Sequence, residues 1–73
     1  MKRYTNLGGD SGIIEYEVGE DFIIVGFSDG SYYEYTYSSA GRGAIEHMKV
    51  LAESGEGLNS YISSNKPGHS RRF

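Results

Sequence analysis

Gly9-Asp10-Ser11-Gly12 repeats the local sequence around the nucleophile of chymotrypsin-like proteases. A serine nucleophile also needs a histidine base, a carboxylate to orient that base, and an oxyanion hole on a large scaffold. A chain of 73 residues cannot build that double barrel, so the stretch reads as a turn ahead of a strand. Glu15 and Glu17 place two carboxylates on one strand face, the raw material of acid–base work. The pattern offers nothing to desolvate either of them, which such work requires. Gly41-Arg42-Gly43 and Gly55-Glu56-Gly57 lack the lysine and hydroxyl residue of a phosphate-binding loop. His47 and His69 stand far apart, and there is no cysteine, so neither a metal-ligand spacing nor a disulfide framework is present. No catalytic residue, metal or cofactor is expected, and the chain reads as non-enzymatic.

Charge is distributed unevenly. No lysine or arginine lies between Tyr4 and Gly41, where seven acids fall; from Arg42 onward five basic residues face three acids. The net charge is −3. A polyanion is therefore expected to meet the C-terminal part, which makes Arg42, Lys66, Arg71 and Arg72 the nucleic-acid candidates. The longest apolar run, Phe22-Ile23-Ile24-Val25, is far short of the roughly 20 residues that span a bilayer. With no apolar stretch of signal-peptide type at the N-terminus, a soluble cytoplasmic protein without membrane contact is expected.

The elements that must position these residues follow from periodicity. Residues 1–10 show none and read as a flexible lead-in. Ile14, Tyr16 and Val18 alternate with Glu15 and Glu17, the period-two pattern of a half-buried strand. Phe22 to Phe27 is a second strand after Gly19-Glu20-Asp21, and the tyrosine-rich stretch after Ser28-Asp29-Gly30 is a third. Four tyrosines in six positions (Tyr32, Tyr33, Tyr35, Tyr37) serve either as a base-stacking surface or as the buried side of that strand. Register chooses between the two. A three-residue loop with Gly30 left-handed sets Tyr33, Tyr35 and Tyr37 on the face of Ile23, Val25 and Phe27, and turns Glu34 away. A two-residue loop would bury Glu34 among apolar groups, which costs several kcal/mol for an unpaired carboxylate. A short turn at Gly19-Glu20 adds Ile14 and Tyr16, opposite Val25 and Ile23, to the same inner face. Ala44, Ile45, Met48, Leu51 and Ala52 recur at helical spacing, with Ser38 or Ser39 as cap and Gly55 as the left-handed end. Leu58, Tyr61 and Ile62 make a second short helix, and residues 65–73 read as a flexible basic tail.

The expected fold is α+β: a three-stranded antiparallel meander covered on one face by a C-terminal helix and a short second helix, with the domain spanning 11–64. Its outer face is expected to show Ile13, Phe22, Ile24 and Tyr32 among acids, with a gap at Gly26. These four are the protein-interaction candidates, for an unknown partner or for self-association. Alternatively, Tyr4 and Leu7 fold back and cover them.

Ser11-Gly12-Ile13-Ile14-Glu15-Tyr16, Ile23-x-Val25-x-Phe27 with Gly30, Tyr33-x-Tyr35, Ala52-x-Ser54-Gly55 and Leu58-Asn59-x-x-Ile62 together resemble the KTSC family. That small domain occurs at the C-terminus of some lysyl-tRNA synthetases and as short free-standing bacterial and phage proteins. The resemblance covers most of the chain, from Ser11 to Ile62. It implies a three-stranded meander packed by C-terminal helices, and its company with a synthetase implies RNA as a partner. Ser38-Ser39-Ala40-Gly41 replaces the Val-Pro that commonly opens the family's helix, and the first hairpin is shorter.

Overall fold

The computed structural model describes residues 1–9 and 11–73. Its order is β1 (Lys2–Arg3), β2 (Ile13–Val18), β3 (Phe22–Phe27), β4 (Tyr32–Thr36), α1 (Tyr37–Ala40), α2 (Arg42–Ser54), α3 (Leu58–Asn65) and β5 (Arg71–Arg72). The class is α+β with an antiparallel sheet, as expected. The sheet, however, has five strands in the order β1-β2-β3-β4-β5, not three. The two additional strands come from the segments read as lead-in and tail. Lys2 and Arg3 pair with Tyr16 and Glu15, and Arg71 and Arg72 pair with Glu34 and Tyr33. A two-residue strand shows no periodicity, so neither edge is visible in the pattern. Short basic edge strands are a common guard against further strand addition.

The β3–β4 hairpin has the register that keeps Glu34 out of the core. Val25 pairs with Tyr33 and Ile23 with Tyr35. Phe27 N–H donates to the Ser31 carbonyl at 2.8 Å, and Gly30 takes the left-handed φ of 92° that the three-residue loop demands. In the β2–β3 hairpin Tyr16 pairs with Val25 rather than Ile23, because Gly19 N–H donates to the Phe22 carbonyl and the turn is Glu20-Asp21. A shift of two keeps Tyr16 on the inner face. A bulge between Ile13 and Glu15 then reverses the two isoleucines. Ile13 is 1 % exposed in the core, and Ile14, expected there, is 45 % exposed.

Thr36 caps the short α1 through a capping box with Ser39, whereas α2, the helix expected to start from Ser38 or Ser39, has Gly41 as its N-cap and no side-chain cap. Ile45, Met48 and Ala52 of α2 are buried, as the helical spacing requires, and Gly55 closes the helix left-handed. The core joins these to Tyr4, Ile13, Tyr16, Ile23, Val25, Tyr35 and Leu58. Each fully buried aliphatic side chain among them contributes about 1.5–3 kcal/mol.

Candidate interaction surfaces

All helices pack on the side of Tyr16, Ile23, Val25 and Tyr35. The opposite face is built in cross-strand rows. One runs Glu17, Ile24, Glu34, Arg71; the next runs Arg3, Glu15, Gly26, Tyr32, with Phe73 beyond it. Tyr32 and Phe73 exchange both backbone hydrogen bonds, at 2.6 and 2.7 Å, and their rings stack at 6.1 Å. Arg71 lies over the Phe73 ring, 4.7 Å from its centroid, and its Nε donates to Glu34 Oε1 at 2.9 Å.

Two of the aromatics fold onto glycines. The Tyr32 ring crosses Gly26, where an added Cβ would come within 2.5 Å of it, and its hydroxyl donates to Glu15. That hydrogen bond to a carboxylate, with smaller desolvation, raises the Tyr32 pKa above the usual phenol value. The gap expected at Gly26 is thus filled. Phe22 covers Gly19 in the same way.

The four interaction candidates therefore fall in different places. Phe22 and Tyr32 are half-buried on the outer face, and Ile24 lies there at 8 % exposure, between Glu17 and Glu34 in the row. Ile13 belongs to the core, because the bulge turns it inward. Sequence reasoning passed over Ile14, which lines a concavity with Met1, Arg3 and Glu15, and Phe73, which is 53 % exposed. A bulge leaves no composition signal. The N-terminal segment does not cover this face: Tyr4 enters the core, Leu7 N–H donates to the Gly55 carbonyl at the end of α2, and the Leu7 side chain is exposed.

The basic candidates are not one cluster. Arg42, in the first turn of α2, lies 5.7 Å from the Tyr37 ring centroid. Lys49 lies at the same distance from that ring, and the Tyr37 hydroxyl donates to Glu46 at 2.6 Å. Hydrogen bonds from Lys49 and Tyr37 hold the Glu46 carboxyl below its usual pKa, and the Tyr37 phenol is correspondingly raised. Arg71 is engaged on the outer face. Arg72 stands on the inner side, 5.5 Å from the Tyr33 ring centroid. Lys66 ends α3 in the left-handed conformation, at φ 48°.

Arg72 meets the Tyr33 ring, and Lys66 lies in a cleft between β4 and α3 that Tyr33 also lines. It is lined by Phe27, Tyr33, Tyr35, Asn59, Ile62 and Lys66, with Ser63, Ser31 and Asp29 at the rim. Asp29 accepts from Ser31 Oγ at 2.6 Å and from Ser31 N–H at 3.0 Å, which lowers its pKa. His69 sets its ring edge-on to Tyr33 at 4.9 Å. Ser11, the serine of the protease-like stretch, accepts from Ile13 N–H at 3.1 Å; Asp10 lies outside the described residues.

Among the described residues no group of three or more histidine, cysteine or acidic side chains is placed to hold a metal ion. Nor is any helix long and apolar enough to cross a membrane. No family model, curated protein or solved structure matches the chain.

Proposed function

We propose that the chain is a small non-enzymatic binding module whose outer sheet face docks a partner protein. The observation that carries this reading is the uncovered face itself. No helix packs there, and Tyr4 and Leu7 turn away from it, leaving Phe22, Tyr32, Ile14 and Phe73 beside acids around a nearly buried Ile24. Aromatic anchors in such a setting are the usual centre of a protein interface. The two-residue basic edges disfavour strand addition, so a partner meets the face rather than an edge.

Charge specifies the occupant. Glu34 is neutralised by Arg71, but Glu17, in the same row, has no ion pair among the described residues. A partner that brings an apolar side chain onto Phe22 and Ile24 and a lysine or arginine to Glu17 fits best. The resemblance to the KTSC family adds a setting, a bacterial or phage regulator in the cytoplasm. The alternative, RNA or single-stranded nucleic acid bound through Arg42, Lys66, Arg71 and Arg72, has less support. Those four side chains occupy three separate surroundings, and Arg71 is already paired.

The test is a nuclear magnetic resonance titration with an extended peptide alternating phenylalanine and lysine, beside one alternating phenylalanine and glutamate. Selective shifts at Glu17, Phe22 and Ile24 with the lysine peptide, lost in Glu17→Lys, support the reading. Equal responses to the two peptides, or none on this face, sink it. Sedimentation showing a dimer closed over this face would replace the partner with a second copy.

A further inference from the structure

We infer that residues 68–73 form a strap over one side of the docking face, a tethered stand-in that an arriving partner protein displaces. The inference rests on the proposal that a partner docks there, and it adds how that docking is regulated. Arg71 and Phe73 stand two positions apart and reach the face together. Arg71 places a cation on Glu34, and Phe73 lays a ring on Tyr32. A basic group for an acid and an apolar group for an aromatic floor is the chemistry the face asks of a partner. The chain supplies both from within.

The strap attaches as a bound peptide strand does, through backbone bonds along β4 with side chains set on alternate sides. Ser70 N–H donates to the Glu34 carbonyl at 2.7 Å, and Ser70 Oγ to the Glu34 carboxylate at 3.1 Å. Ser39 Oγ pins its near end by donating to the Gly68 carbonyl at 2.8 Å. None of this lies in the core: residues 68–73 are all exposed, and the core draws on nothing beyond Ile62. A segment held by surface hydrogen bonds and one exposed ion pair opens at low free energy, well before the rest of the fold. Opening changes the face. The Glu34 side chain, 17 % exposed beside Arg71, loses its cation, and Ile24 then lies between two carboxylates, Glu17 and Glu34, without ion pairs among the described residues. The Tyr32 ring loses its stacked cover. While the strap is closed, affinity for a partner is lowered in proportion to the fraction of molecules that are open.

Gly68→Ala loosens the strap without touching the face. Its methyl group would stand 2.5 Å from the Ser39 carbonyl oxygen, in a segment that the core does not use. Arg71→Ser, which removes the bond to Glu34, is the second variant. The peptide alternating phenylalanine and lysine is titrated into the full chain of the parent and of each variant. Both variants are expected to bind it with a Kd about fivefold lower than the parent's. Adding peptide to the parent should also speed hydrogen exchange at the Phe73 amide, which the closed strap bonds to the Tyr32 carbonyl at 2.7 Å. Shifts at Glu17, Phe22 and Ile24 with the same Kd in all three chains, and unchanged exchange at Phe73, would overturn the strap and leave the docking face standing. No response on the face in any of the three would remove both.

Discussion

The Tyr4 hydroxyl accepts a hydrogen bond from the Leu58 backbone amide at 3.3 Å, inside the core and 54 positions away in sequence. Gly57, which precedes α3, has no side chain to cap it, so the phenol takes over one of the helix's unpaired donors. Tyr4→Phe, which removes only that oxygen, is expected to cost about 1 kcal/mol. Tyr4→Ala also opens a cavity and should cost about 3–5 kcal/mol. Urea unfolding of the two variants measures the difference; equal losses would show that the ring alone matters.

Tyr35 should be the most costly of the strand tyrosines to truncate. It is buried with Ile23 and Met48, and Tyr35→Ala is expected to lose about 3 kcal/mol or more. Burial also pushes its phenol up to about 12, from an ordinary value of 10.0. Because the folded value is the higher, the neutral form is the one that the fold favours. That contribution is complete below pH 10 and is lost as pH rises from 10 through about 12. Alkaline unfolding of Tyr35→Phe should accordingly show a shallower loss of stability over that window than the parent.

Glu34 and Arg71 form an exposed pair, so Glu34→Gln is expected to change stability by less than about 1 kcal/mol. The same pairing bears on nucleic acid. Titration with a short RNA at low salt is expected to give no saturable binding. Saturable binding that weakens with salt, and weakens again in Arg71→Ser with Arg72→Ser, would reverse the ranking of the two functional readings.

How far the sequence revealed this fold depended on whether one residue could report on a face. Glu34 did, since only one register keeps it out of the core, and Tyr33 and Tyr35 follow from it. The helix was legible for a similar reason: Ile45, Met48 and Ala52 repeat over enough turns to define a side. Ile13 and Ile14 lie on the faces opposite to those that strict alternation predicts, because a bulge exchanges neighbours of identical chemistry. The edge strands at Lys2–Arg3 and Arg71–Arg72 are held by backbone hydrogen bonds, which are indifferent to side-chain type. The β4–α3 cleft joins residues from Phe27 to Lys66 that no local spacing connects.

Gly26→Ala should destabilise the sheet, because its methyl group would press on the Tyr32 ring and on the Glu15 stem, 3.1 Å away. The loss should shrink when Tyr32→Ala is made first. A double-mutant cycle with no coupling between the two positions would contradict the ring's placement.

The roof of Tyr32 over Gly26 also constrains how such a sheet can diverge. A β-branched residue at 26 would improve strand propensity on its own, yet it has no room while the ring lies flat. Loss of the ring, conversely, exposes bare backbone at the centre of the sheet and releases Glu15 from its donor. Neither change is tolerated first without a penalty, so the two positions are expected to be inherited as a pair. Among descendants of this domain, a side chain at 26 should appear only where 32 is no longer aromatic.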